Sequence, residues 1–237
     1  MKIAILSDIH GNSHALKATL EHANKLGVEY FFVLGDLIGY YLQPGKVVST
    51  IMSLPGIAIQ GNHERLIEKI INSKLKIEEV NEKYGEGHQI ALQTLKETEI
   101  NWLINLEKEK DIIIDGISIK LCHGAPGYPD EYLYPDISQH KLLQFCNKEY
   151  DYIFTGHTHY PFFFFHNNCA IVNVGSVGQS KDIGGLASWG LLDTSNKTYI
   201  PYRTPYKVDR LIKEIINSRN SNMDYLVSVL KRNRIDL

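Results

Sequence analysis

The chain has 237 residues, 43% of them hydrophobic and 22% charged, with a formal net charge of −2. That is enough chain for one sizeable core in an ordinary globular composition, and the near-neutral balance argues against nucleic acid as an obligatory partner. No run approaches the ~18 consecutive apolar residues of a membrane span, and Lys2 to Leu6 is too short for a signal-peptide core, so a cytoplasmic protein without a membrane partner is expected. Cys122, Cys146 and Cys169 are odd in number and form no C-x-x-C pair, which reads as buried, reduced thiols rather than disulfides or a structural zinc site.

Lys2 to Leu6 is a continuous apolar strand, followed by the polar loop Ser7-Asp8-Ile9-His10-Gly11-Asn12. Asn12 or Ser13 can cap the next helix, from about His14 to Lys25, which Gly27 stops. Tyr30 to Leu34 is a second strand, ending in Gly35-Asp36. Pro44 suits the start of a helix reaching Ser53, and Pro55-Gly56 turns into a third strand, Ile57 to Gln60, with Gly61-Asn62-His63-Glu64 at its end. This strand–helix alternation predicts parallel strands with right-handed crossovers.

From about 65 to 110 the character changes to a helical insertion, either a lid or plain packing: helical spacing at Leu66, Ile67, Ile70 and Ile71, a weakly patterned charged stretch from Lys74 to Lys83, then two helices split near Thr98. Asp111 to Asp115 and Ile117 to Cys122 flank an Asp-Gly turn and read as a hairpin, with His123-Gly124 at its end. A Pro/Tyr-rich loop follows, then a helix from Ser138 to Asn147 and a strand, Tyr152 to Thr155, closed by Gly156-His157-Thr158-His159. Pro161 to Phe165, with four phenylalanines, is expected to be a strand buried on both faces. Cys169 to Val174 is the next strand, Ala187 to Leu192 and Thr198 to Arg203 pair around a polar turn, and terminal helices follow from about residue 206. The basic residues Lys207, Arg210, Lys213, Arg219, Lys231, Arg232 and Arg234 read as a solvated face. One α/β domain over 1–237 is expected: two packed mixed sheets with flanking helices, a four-layer α-β-β-α sandwich.

Chemistry concentrates in five places: Asp8-x-His10, Gly35-Asp36, Gly61-Asn62-His63-Glu64, His123-Gly124 and Gly156-His157-Thr158-His159. Each follows an apolar strand, where open α/β sheets bind ligands. Imidazole, carboxylate and amide oxygen form a mixed N/O donor set suited to borderline divalent ions, and the lack of thiolate disfavours structural zinc. Hydrolytic two-metal sites need a carboxylate between ions ~3.5–4 Å apart. Asp36, with motif strands on both sides, is the best bridge. Any one of these motifs is weak alone; their common position after strands gives them weight. His14, His22, His88, His140 and His166 read as ordinary histidines. Tyr40, Tyr41, Tyr128, Tyr132 and Tyr134 lie in loops after motif strands, either stacking on an aromatic ester or base, or packing on the surface.

The five segments resemble the calcineurin-like metallophosphoesterase superfamily, whose motifs run D-x-H, G-D, G-N-H-[DE], H and G-H-x-H. Asn12, Ala15-Leu16 and the run Asn173 to Gly178 resemble its small prokaryotic phosphodiesterase branch. The resemblance implies a hydrolase acting on phosphate-ester small molecules or nucleotides with two divalent ions, manganese foremost, with iron, nickel, cobalt or zinc as alternatives. It implies Asp8, His10 and His159 on the first ion, Asn62, His123 and His157 on the second, and Asp36 between them. His63 would act as general acid or electrostatic stabiliser, oriented by Glu64, with a hydroxide between the ions as nucleophile. Glu64 departs from the Asp of many members, and Val174 from the Pro common in the branch. A phosphomonoesterase, a protein phosphatase and a dinucleoside-polyphosphate hydrolase are rival activities. A non-catalytic scaffold would be marked by lost ligands, and none is lost. A homodimer is left open.

Overall fold

The computed structural model describes residues 1–146, 149–219 and 221–233. Its first sheet has the order β10-β9-β1-β2-β3, from β1 (Lys2–Leu6), β2 (Tyr30–Val33), β3 (Gly56–Ala58), β9 (Leu186–Asp193) and β10 (Thr198–Pro205). β1, β2 and β3 are parallel, and β9 and β10 close the sheet antiparallel. The second sheet has the order β4-β5-β6-β8-β7, from β4 (Glu109–Ile114), β5 (Ile117–Cys122), β6 (Tyr152–Thr155), β7 (Phe162–His166) and β8 (Cys169–Asn173). There β5, β6 and β8 run parallel between two antiparallel edges.

Alternation along the strands sets the layers. Ile3 and Ile5 of β1 face Ile117, Ile119 and Leu121 of β5 in the core between the sheets. Ala4 and Leu6 point the other way, into a core with Leu16 of α1 (Ser13–Lys25) and Val47, Val48 and Ile51 of α2 (Pro44–Ser53). On the outer face of the second sheet, Ile153 and Ile171 pack with Leu142 of α7 (Gln139–Leu143). This is the expected four-layer arrangement. Asn12 is the α1 cap, its side chain accepting from the Ala15 N–H at 3.0 Å. Asp115 and Gly116 both take positive φ, 49° and 72°, as the tight hairpin turn requires.

Several expectations are corrected. The phenylalanine strand is not buried on both faces: β7 is an edge strand, and Phe163 and Phe165 are 58% and 60% exposed while Phe162 and Phe164 pack into the core on the α7 side of the sheet. The insertion holds four helices: α3 (Asn62–Ile71), α4 (Ile77–Tyr84), α5 (Gly87–Thr94) and α6 (Glu97–Ile104). α4 lies in the charged stretch with weak patterning, because Val80 is its one buried residue. α7 is capped by Ser138 but ends at Leu143; Asn147 lies outside the described residues. α8 (Val208–Ser218) and α9 (Met223–Leu230) pack on each other and on Tyr41, which is fully buried rather than a surface stacking residue. Arg232 is not simply a solvated charge: its guanidinium donates inward to the Lys181 carbonyl at 3.4 Å. Arg234 lies outside the described residues.

Candidate metal centre

The motif loops interlock at the carboxyl ends of β1, β2, β5 and β6. The Asp8 N–H donates to the Gly35 carbonyl at 3.1 Å and the His10 N–H to the Asp36 carbonyl at 2.9 Å. Across the two sheets, the His157 N–H donates to Asp8 Oδ2 at 3.0 Å; within the second sheet, the Gly156 N–H donates to the His123 carbonyl at 2.9 Å. Asp8, His10, Asp36, His157 and His159 all have positive φ, between 52° and 67°. Such backbone costs of order 1–3 kcal/mol per residue and persists only where surroundings over-determine it. Here its effect is to turn five side chains toward one point. Gly61 lets the loops meet: a Cβ there would lie 2.2 Å from Asp36 Oδ1.

The donor atoms converge without satisfying one another. His159 Nε2 is 3.1 Å from His10 Nε2 and 3.2 Å from Asp8 Oδ1. His123 Nε2 is 3.2 Å from Asp36 Oδ2 and 3.1 Å from Asn62 Oδ1. Asp8, His10 and His159 form one group of donors within 4.8 Å of one another, Asp36, His123 and His157 a second, and His10, Asp36 and His63 a third. The tautomers follow from the outer ring nitrogens. Nδ1 of His10, His123 and His159 lies 3.1, 2.7 and 2.8 Å from the carbonyls of Ile38, Leu34 and Gln179. A carbonyl only accepts, so each Nδ1 carries the hydrogen, and a neutral ring then presents a bare Nε2 lone pair. Two such lone pairs face each other at His10 and His159, and Asp8 Oδ1 is buried without a hydrogen bond beside them. A cation resolves all three at once, and backbone carbonyls on the far nitrogens are the usual second support of metal-bound imidazole. The donor set therefore fits divalent metal.

The electrostatics agree. Burial works against charged Asp8 and Asp36, yet His159 and His10 around the first and His123 and His63 around the second hold both carboxyls well below the ordinary carboxylate range. Burial also opposes a charged His123, but Asp36 outweighs it and lifts the ring to about 9. Burial dominates at His157 and His159, reinforced by charged His123 and Lys181 respectively, and both fall to about 4.

Every expected ligand residue, and His63, thus comes to one place. Glu64 does not take the part expected of it. Its carboxylate accepts the N–H groups of Asp36, Leu37 and Gly61, each at 2.8 Å. It ties the Asp36 loop to the start of α3 and makes no bond to the His63 ring. His63 is held by packing: Tyr40 and Tyr84 lie 5.1 and 5.0 Å from it between ring centroids, and His88 stacks on it at 4.8 Å and 14°. A Cβ on Gly39 would meet its Nδ1 at 2.2 Å. His88, an ordinary histidine by sequence, is fully buried, with neither ring nitrogen bonded. Its spacing in α5 carries no motif, so only the fold reveals it. Tyr132 stacks on His157 at 3.9 Å, whereas Tyr128 is 61% exposed. Asn173 donates to the Gly156 carbonyl and Thr158 Oγ1, and Ser176 to the Asp8 carbonyl at 2.7 Å, so the 173–178 run buttresses the loops.

Residues 1–197 match the calcineurin-like phosphoesterase superfamily domain. The chain belongs to that superfamily. Its members are metal-dependent hydrolases of phosphate esters. The chain is 28% identical to the protein MJ0912 of Methanocaldococcus jannaschii, over 92% of this chain and 93% of that one. The structure of PH1004 from Pyrococcus horikoshii OT3 superposes with a TM-score of 0.85 at 20% identity, covering 98% of each chain. A metallophosphoesterase from Sphaerobacter thermophilus superposes with a TM-score of 0.79 at 24% identity, covering 97% of this chain and 98% of that one. Both share the fold of two mixed sheets with flanking helices. Among the described residues no helix is long and apolar enough to cross a membrane.

Proposed function

We propose that this phosphoesterase is a phosphodiesterase with a binuclear centre, manganese foremost. Asp8, His10 and His159 hold one ion, Asn62, His123 and His157 the other, and Asp36 lies between. The observation that carries the reading is the pair of facing imidazole lone pairs beside the unbonded oxygen of Asp8. Two divalent ions held there would neutralise phosphate charge and lower the pKa of water toward neutral pH. In the hydrolysis, water oxygen bonds to phosphorus, one ester P–O bond breaks, and the departing oxygen leaves with a proton.

The protein's own part is positioning and proton supply. The seams among the loops hold the ligands in place before substrate arrives. Burial keeps the free His63 ring neutral against the pull of Asp36, and a proton there would also crowd the neighbouring His10, His88 and His159 rings. A neutral ring still offers an N–H to a phosphate oxygen, and the negative charge of bound substrate raises its proton affinity toward that of a general acid. The diester preference rests on the likeness of Asn12 and the 173–178 run to the phosphodiesterase branch; both segments support the Asp8 loop. This reading takes residues 1–237 as one domain with α3–α6 inserted, and the unpaired thiols as the mark of a reducing, cytoplasmic setting.

The test is turnover of bis(4-nitrophenyl) phosphate by manganese-loaded protein, with 4-nitrophenyl phosphate in parallel. Folded, metal-loaded protein that hydrolyses neither sinks the reading; faster turnover of the monoester corrects it to a monoesterase. His63→Gln is expected to keep both ions and slow turnover, most for esters with poor leaving groups. If it loses an ion instead, His63 is a ligand, as its place in the third donor group allows.

A further inference from the structure

Arg65 follows Glu64 in the chain and is no member of the ligand set, yet it is only 8% exposed. A buried guanidinium is costly unless its donors find acceptors, and here three are supplied. Nη1 donates to the Gln60 carbonyl at 3.3 Å, and Nη2 to the Pro129 carbonyl at 3.3 Å and to Asp130 Oδ1 at 2.5 Å. Gln60 stands just before α3, at the end of the first sheet's third strand. Pro129 and Asp130 belong to the loop that follows β5 of the second sheet. One side chain therefore ties the start of the helical insertion to a loop of the opposite sheet.

The loop held in this way lies against the His157 side of the metal centre. It passes close over Gly124, where a Cβ would lie 2.7 Å from the Pro129 carbonyl oxygen and 2.8 Å from that of Glu131. Two of its residues meet the His157 ring. The Asp130 carbonyl is 3.3 Å from Nε2, and Tyr132 stacks on the ring face, 3.9 Å between centroids and 21° from parallel. A carbonyl only accepts, so Nε2 of the neutral ring carries the hydrogen and Nδ1 keeps the bare lone pair. This inverts the arrangement at His10, His123 and His159, whose Nδ1 atoms face the carbonyls. Asp130 thus has two attachments: its carboxylate takes the Arg65 guanidinium, and its carbonyl takes the His157 ring. A shift of Asp130 disturbs both.

We propose that Arg65 is a positioning residue for one ion of the pair: through Asp130 it seats the 129–132 stretch, whose carbonyl fixes the His157 hydrogen on Nε2 and leaves Nδ1 to the metal. The proposal rests on the binuclear reading in one respect, that His157 is a ligand. Its consequence is selective. His10 and His159, on the other ion, take their carbonyls from Ile38 and Gln179, to which Arg65 makes no bond. Loss of Arg65 therefore acts on the ion that His157 holds and spares its neighbour.

Two measurements test this without turnover. Manganese is titrated calorimetrically into chelator-treated full-length wild type, Arg65→Gln, Asp130→Ala, the double variant and His157→Ala, and the metal-free proteins are compared by thermal melting and by histidine 15N NMR at neutral pH. Removing an outer partner of a metal-bound imidazole lowers affinity about 10–100-fold. Arg65→Gln should therefore weaken the ion that His157→Ala weakens by about tenfold or more, and leave the other unchanged. Asp130→Ala removes a side chain that is 70% exposed and should do the same, deciding the matter if Arg65→Gln does not fold. The double variant should be no weaker than the worse single one, because both changes break one connection. The His157 ring, identified by its absence in His157→Ala, should be the Nε2–H form in wild type and a mixture of tautomers in both single variants. An unchanged affinity for that ion, equal weakening of both ions in step with a lower melting temperature, additive losses in the double variant, or a His157 ring that stays Nε2–H throughout each overturns the proposal. Wild type that takes up fewer than two ions, or His157→Ala that binds both as tightly as wild type, tells instead against the binuclear reading and ends the assignment of Arg65 with it.

Discussion

Replacing Glu64 by Gln separates two accounts of this residue. Glu64 is fully buried and accepts three backbone N–H groups, Oε2 from Asp36 and Gly61 and Oε1 from Leu37. Burial and repulsion from Asp36 raise its pKa, opposed by those same hydrogen bonds. Glutamine has one acceptor oxygen. Placed at the Oε2 position it keeps two of the bonds, but its NH2 group then faces the Leu37 N–H, donor against donor. Hydrogen bonds to a charged group contribute about 1.5–3 kcal/mol, and a buried donor left unpaired costs about 1–3 kcal/mol. The structure therefore predicts a loss of about 3 kcal/mol for Glu64→Gln, and more for Glu64→Ala, which abandons all three donors. For a chain of this size that is a fall of roughly 6–12 °C in melting temperature. The measurement is a reversible melt of chelator-treated protein, followed by manganese titration. Weaker binding at both sites should accompany the lower melting point, because the Asp36 loop is what Glu64 holds. A variant that melts like wild type and binds both ions, while turnover of esters with poor leaving groups alone declines, would refute this and return Glu64 to orienting His63.

Further outcomes are expected. Asp36→Asn should weaken both ions together in a manganese titration, whereas His159→Ala should chiefly weaken the ion held with Asp8 and His10; equal losses in the two variants would undo the assignment. His88→Ala should slow turnover several-fold by releasing the His63 ring while leaving metal affinity intact, and His88→Phe, which can still stack, should recover most of the rate. Rates that track only the melting temperature would reduce His88 to packing. The metal-free protein should be most stable near pH 6.5. His157 and His159 titrate at about 4 in the fold against an ordinary 6.5, so the unfolded chain binds more protons between those values and stability falls as pH drops from 6.5 toward 4. His123 titrates at about 9, so its contribution is complete below 6.5 and is lost as pH rises through 9. Melting curves in chelator across pH 4–10 that lie flat would contradict both shifts.

Local chemistry made much of this protein legible in its sequence. The apolar runs, with Gly, Pro and Asp-Gly punctuation, locate the strands of both sheets because a buried strand needs continuous apolar side chains and a defined stop. The ligand residues are legible for a related reason: metal binding demands His, Asp and Asn, and a parallel sheet delivers them at strand ends, so motif and strand end coincide. What depends on neighbours from distant elements was not legible. Four phenylalanines in a row look the same at a sheet edge as at its centre, and only the order β6-β8-β7 leaves Phe163 and Phe165 exposed, at the open edge of the face that carries Val172 and Ala170. Glu64 sits beside His63 in sequence, yet α3 begins at Asn62 and turns the carboxylate back onto the Asp36 loop. His88 and Arg232 carry no motif at all. They gain meaning only because packing of the insertion lays one ring against His63, and the return of the chain after α9 sets the other's guanidinium on the Lys181 carbonyl. Residue type decides which atoms can bind a cation or an anion; the tertiary fold decides which of them are left without a partner, and there the binding sites lie.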